Sequence, residues 1–98
     1  MSVSLDRNAT LKNAEKLLGQ GQLTEAIEEY VRLADDLYAE GFIPKASALY
    51  KKTLKIKADH EHALVRLIDI AESQGLMVDA KVYLRELSKQ RHQREYRR

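Results

Sequence analysis

The sequence predicts an all-α chain of about five helices that pack as successive antiparallel hairpins. Apolar residues recur at steps of three and four almost throughout, and alternation with period two is never sustained. One proline and four glycines interrupt 98 residues, and they fall at or beside the breaks between the periodic stretches. The chain also aligns with itself at an offset of 34 residues, as expected for a helix-turn-helix unit used more than once.

The first helix, about 8–19, rests on Leu11, Ala14, Leu17 and Leu18. Gly19 and Gly21 supply the turn after it, and Thr24 is the expected cap of the second helix, with Glu25 and Glu28 favourable to its dipole. That helix, about 23–40, carries Leu23, Ala26, Ile27, Tyr30, Leu33, Ala34 and Leu37. Gly41 suits the left-handed residue that ends it, and Pro44 suits the first turn of the third helix, about 44–57, built on Ala46, Leu49, Tyr50, Thr53 and Leu54. Asp59 is the expected cap of the fourth, about 60–74, with Ala63, Leu64, Leu67, Ile68 and Ala71 on one face and Gly75 closing it. The fifth, about 78–93, begins with Asp79 and carries Ala80, Tyr83, Leu84 and Leu87. Every connection is short, which makes consecutive helices antiparallel neighbours.

Ninety-eight residues with 44% hydrophobic and 33% charged side chains make one domain, 1–98, and no second. No cysteine is present, so disulfides, thiolate metal sites and thiol nucleophiles are excluded, which fits a reducing cytosol. Met1–Thr10 has no apolar signal-peptide core, and no stretch approaches the roughly 18 apolar residues of a membrane span. A soluble, unprocessed, cytoplasmic protein without a membrane partner is expected. The net charge of +2 is unevenly spread: Lys89–Arg98 has five bases and one acid, Thr24–Glu40 six acids and one base, and Lys45–Lys57 five lysines and no acid.

At the 34-residue offset Tyr30 meets Leu64, Leu33 meets Leu67, Ala34 meets Ile68, Leu37 meets Ala71, Gly41 meets Gly75, Ala46 meets Ala80, Tyr50 meets Leu84 and Thr53 meets Leu87. In spacing and residue type this resembles the tetratricopeptide repeat family. The stretch Ala34–Leu64, with its Gly-Phe-Ile-Pro-Lys-Ala turn, looks especially like repeats of bacterial proteins of this kind. The resemblance covers nearly the whole chain and implies a right-handed superhelix of hairpins. In such a stack Ala34, Ala46 and Ala80 let paired helices approach, while Tyr30, Leu33, Leu37, Tyr50 and Leu54 fill the space between hairpins. There are departures. Gly21, Ala26 and Tyr30 repeat Gly41, Ala46 and Tyr50 at an offset of 20, so the second helix serves two hairpins; Ala58 replaces a frequent proline, and Leu87 a small residue.

The chemistry of the side chains excludes more than it assigns. His60 and His62 stand two apart on a helix start and His92 lies in the basic tail, so no metal ligand set is marked. Gly19-Gln20-Gly21 reads as a turn rather than a phosphate loop, and Ser47, Ser73 and Ser88 have no marked base. No enzyme, cofactor or metal is expected. The resemblance implies instead a concave groove lined by the first helix of each hairpin, with Glu28, Arg32, Asp35 and Tyr38, then His62, Val65, Arg66, Asp69 and Glu72, as the partner-binding residues. The family's carboxylate-clamp positions here hold Leu11, Glu15, Arg32, His62 and Arg66, so a receptor for acidic C-terminal tails is disfavoured and a basic or amphipathic helical ligand suits the groove better. The expected role is a scaffold or adaptor for a protein or peptide, with self-association through the basic tail on the acidic 24–40 segment as a further possibility. The alternative is a small nucleic-acid-binding protein using Arg91, Arg94, Arg97 and Arg98, with His92 and Tyr96 available for stacking.

Overall fold

Three glycines organise the chain. The computed structural model describes residues 5–96, which form α1 (Arg7–Gly19), α2 (Leu23–Ala39), α3 (Ile43–Ile56), α4 (Glu61–Ser73) and α5 (Met77–Tyr96). Gly21, Gly41 and Gly75 have φ of 75°, 85° and 74°, the left-handed conformation that a Cβ disfavours. Each sits in the same motif. The N–H of Phe42 reaches the carbonyl of Leu37 at 2.9 Å and that of Gly41 reaches Tyr38 at 3.1 Å; Gln22/Leu17 with Gly21/Leu18, and Leu76/Ala71 with Gly75/Glu72, repeat the pair. The residue after each glycine then opens the next helix: the carbonyls of Gln22, Phe42 and Leu76 accept from Ala26, Ala46 and Ala80, which are all buried.

This economy of turns corrects one expected cap. Thr24 lies inside α2, whose N-cap is Gln22 without a side-chain bond. The α3–α4 connection has no glycine and works differently. Its cap is His60, not Asp59: the ring Nδ1 accepts from the Ala63 N–H at 3.2 Å. Asp6 caps α1 through the Ala9 N–H at 3.1 Å. α5 extends three residues past the expected end at 93, to Tyr96.

The helices pack in a zigzag. Ala14, Ala26 and Tyr30 join α1 to α2, with Leu49 and Ile56 of α3 against them. Leu33, Ala34, Leu37, Ala46, Tyr50, Ala63, Leu67 and Ile70 form the central core from α2, α3 and α4. Leu64, Ile68 and Leu87, with Leu54 and Tyr83, close it between α4, α5 and α3. α2 and α4 therefore lie on one side, and α1, α3 and α5 on the other. The buried hydroxyls of Thr10 and Thr53 donate to the carbonyls four residues back, Asp6 at 2.8 Å and Leu49 at 3.0 Å, so neither is left unmatched. No helix among the described residues is long and apolar enough to cross a membrane.

Candidate functional site

Where α2 meets α4 the contact turns polar. Asp35 of α2 is its centre: the Tyr50 hydroxyl, arriving from α3, donates to Oδ1, and His62 Nε2 of α4 stands 2.8 Å from the same oxygen. Arg66, one turn along α4, holds its Nε 4.0 Å from Oδ1, an ion pair too long to be a hydrogen bond. Its guanidinium carbon lies 4.8 Å from the centre of the Tyr38 ring, a cation–π contact. Tyr50 packs edge-on against Tyr38 and His62, at centroid distances of 6.5 and 6.1 Å.

The cause of this arrangement is a buried phenol. Tyr50 is fully buried, so its hydroxyl needs an acceptor, and the α2 register brings the Asp35 carboxylate to it. Burial, reinforced by the hydrogen bond to Asp35 and its negative charge, pushes the Tyr50 hydroxyl well above its ordinary 10, so it remains a donor. Asp35 itself is 41% exposed, so one carboxylate both satisfies a core group and faces solvent.

Four of the nine expected groove residues, Asp35, Tyr38, His62 and Arg66, thus form one seam. Glu28, Asp69 and Glu72 are exposed on the same two helices. The remaining two lie apart from the seam. Val65 is half-buried and packs against the cluster of Leu64, Ile68 and Leu87. Arg32 lies 3.7 Å from Glu29, one turn earlier on α2, and helps to line a depression of about 690 Å³ beside α1 with Asp6, Asn13 and Asp36. On that flank Arg7 binds Asp36 at 2.7 Å.

The expected tail contacts are also partly committed. Arg91 and Arg94 reach back to the Glu61 carboxylate of α4 at 3.3 and 2.7 Å. The hydrogen bonds from Arg94 and Arg91 hold that carboxyl below its ordinary range. Both arginines serve an intramolecular clasp that carries α5 past its expected end, while Arg97 and Arg98 lie outside the described residues. His60 has its pKa lowered by burial first, then by the charges of His62 and Lys57. Among the described residues no three His, Cys, Asp or Glu side chains converge as a metal site would require.

Sequence reasoning missed the node at Asp35 as a unit. Its parts are 15 and 27 residues away, and the one available signal was the 34-residue register that sets α2 beside α4. No family model matches the chain, and no curated protein and no solved structure matches it.

Proposed function

We propose that this chain is a tetratricopeptide-like hairpin stack that holds a basic or amphipathic helical segment of another protein on its α2–α4 face. It acts as a scaffold or adaptor and not as an enzyme. The observation that carries the reading is the composition of that face. α2 has five acids and one base, and α4 three acids and one base, a net −6 over the two helices, of which Asp36 and Glu61 are already paired with Arg7 and with Arg91 and Arg94. Glu28, Asp69 and Glu72 offer exposed carboxylates to a cationic ligand, and Tyr38 with Arg66 offers a rigid aromatic and planar surface between them. The three glycine turns, two of them 34 residues apart, support the tetratricopeptide-like reading of the stack.

A lysine-rich amphipathic helical peptide tests this, with its glutamate counterpart as control. Fluorescence anisotropy is expected to show binding of the cationic peptide alone, weakened by salt and lost when Asp69 and Glu72 are both changed to Lys. Equal binding of both peptides, or indifference to the double reversal, would dismiss the α2–α4 face as the site.

A further inference from the structure

The opposite side of the molecule has the opposite sign. α3 carries four lysines and no acid, and α5 five bases and three acids, so these two helices together carry +6 where α2 and α4 carry −6. The two basic helices lie side by side in parallel register. Ser47 and Lys51 of α3 line one small cleft with Asp79 and Tyr83 of α5, and Leu54 shares a core cluster with Tyr83 and Leu87. Their outer stripes are consequently adjacent. On α3 the stripe is Lys45, Ala48, Lys52 and Lys55; on α5 it is Val78, Val82, Arg85 and Lys89, and all eight are exposed. Neither stripe contains an acid. Asp79 is turned to the cleft beside Lys51, and Glu86 accepts from Gln90 at 3.0 Å. Among the described residues no ion pair involves a lysine.

We infer that the α3–α5 outer face is a docking surface for an anionic lipid bilayer. Charge complementarity supplies the attraction, and the valines choose the occupant. Val78 and Val82 are 76% and 56% exposed in line with Arg85 and Lys89. Aliphatic side chains that stand out among bases lose water on entering the headgroup region, whereas a phosphate backbone gives them nothing to contact. Neither stripe contains an aromatic on which a base could stack, and lysines outnumber arginine there; both features disfavour a nucleic acid. The face is peripheral, so it requires no spanning helix. It is separate from the α2–α4 seam, and both surfaces can be occupied at once.

Co-sedimentation of the full chain with phosphatidylserine–phosphatidylcholine vesicles, and with pure phosphatidylcholine vesicles, tests the inference. Binding is expected to the anionic vesicles alone and to weaken as salt rises. Each base near such a surface strengthens binding about fivefold, so changing Lys52 and Lys55 to Gln is expected to weaken it about 25-fold. Val78→Ser with Val82→Ser is expected to weaken it with the charge unchanged. All four side chains are exposed, so the thermal unfolding of these variants is expected to match the parent. Absence of binding to anionic vesicles at low salt would overturn the inference, as would binding unmoved by either pair of changes. Tighter binding to single-stranded RNA that ignores the valines would overturn it in favour of a nucleic-acid surface.

Discussion

Replacing Asp35 by Ala removes the acceptor of a fully buried hydroxyl, and the cost follows from that geometry. An unmatched buried polar group costs about 1–3 kcal/mol, and hydrogen bonds to a charged partner contribute about 1.5–3 kcal/mol. Asp35 is 41% exposed, so water reaches the vacated position and softens the penalty. The expected loss is therefore about 2 kcal/mol, a fall in Tm of roughly 8–16 °C for a domain of this size. Tyr50→Phe removes the donor instead and leaves Asp35 with His62, Arg66 and solvent, so about 1 kcal/mol is expected. With both changes the buried hydroxyl goes together with its acceptor, so the double variant is expected to be less destabilised than Asp35→Ala alone, falling short of the parent by the lost contacts of Asp35 with His62 and Arg66. Urea unfolding followed by circular dichroism measures all three, with an unchanged m-value as the check that only stability has moved. Additive costs, or an Asp35→Ala variant within about 0.5 kcal/mol of the parent, would refute the Asp35 node as a structural tie.

Other outcomes follow from single features. Gly41→Ala meets no steric obstacle but keeps a φ of 85°, so a loss of about 1–2 kcal/mol is expected by urea unfolding. His60 has a folded pKa below its ordinary 6.5, so the unfolded chain takes up the proton first; its contribution is complete above that value and is lost as pH falls from 6.5 through the lowered one. His60→Asn keeps a capping side chain that does not titrate and is expected to flatten that part of a stability-versus-pH profile. The Glu61 carboxyl is depressed, so the clasp is complete above the ordinary carboxylate range and opens as pH falls through the lowered value. Protection of the amides of 91–95 against hydrogen exchange, taken relative to their intrinsic rates at each pH, is expected to fall there, and to be low at every pH in Glu61→Gln. Because Arg91 and Arg94 are engaged within the chain, light scattering across a concentration series is expected to show no tail-driven, salt-sensitive dimer; one that dissolves in high salt would contradict the clasp.

Regular features were legible in the sequence because they depend on near neighbours. The 3.6-residue period marked all five helices to within three residues, and the glycines at 41 and 75 marked left-handed turns, since no other residue takes that backbone cheaply. Capping was harder to read. Thr24 and Asp59 have the preferred chemistry, yet in α2 the residue after the glycine already serves as N-cap, and at the other connection His60 occupies the capping place. In the candidate site, spacing placed Asp35 and Tyr38 on α2 and His62 and Arg66 on α4, but a half-turn decides whether a residue faces the seam. Arg32 and Val65 fall on either side of that boundary, one toward α1 and the other half-buried against the edge of the α4–α5 cluster. The need for an acceptor at buried Tyr50 became visible only with α2, α3 and α4 assembled.

The acidic α2–α4 face is tested most directly by amide chemical shifts of the full chain as the lysine-rich helical peptide is added. Saturable shifts at Tyr38, His62, Arg66, Asp69 and Glu72, with α1 and the outer stripes of α3 and α5 unmoved, are the expected result. Shifts confined to those outer stripes, or none at concentrations where anisotropy reports binding, would contradict recognition on that face.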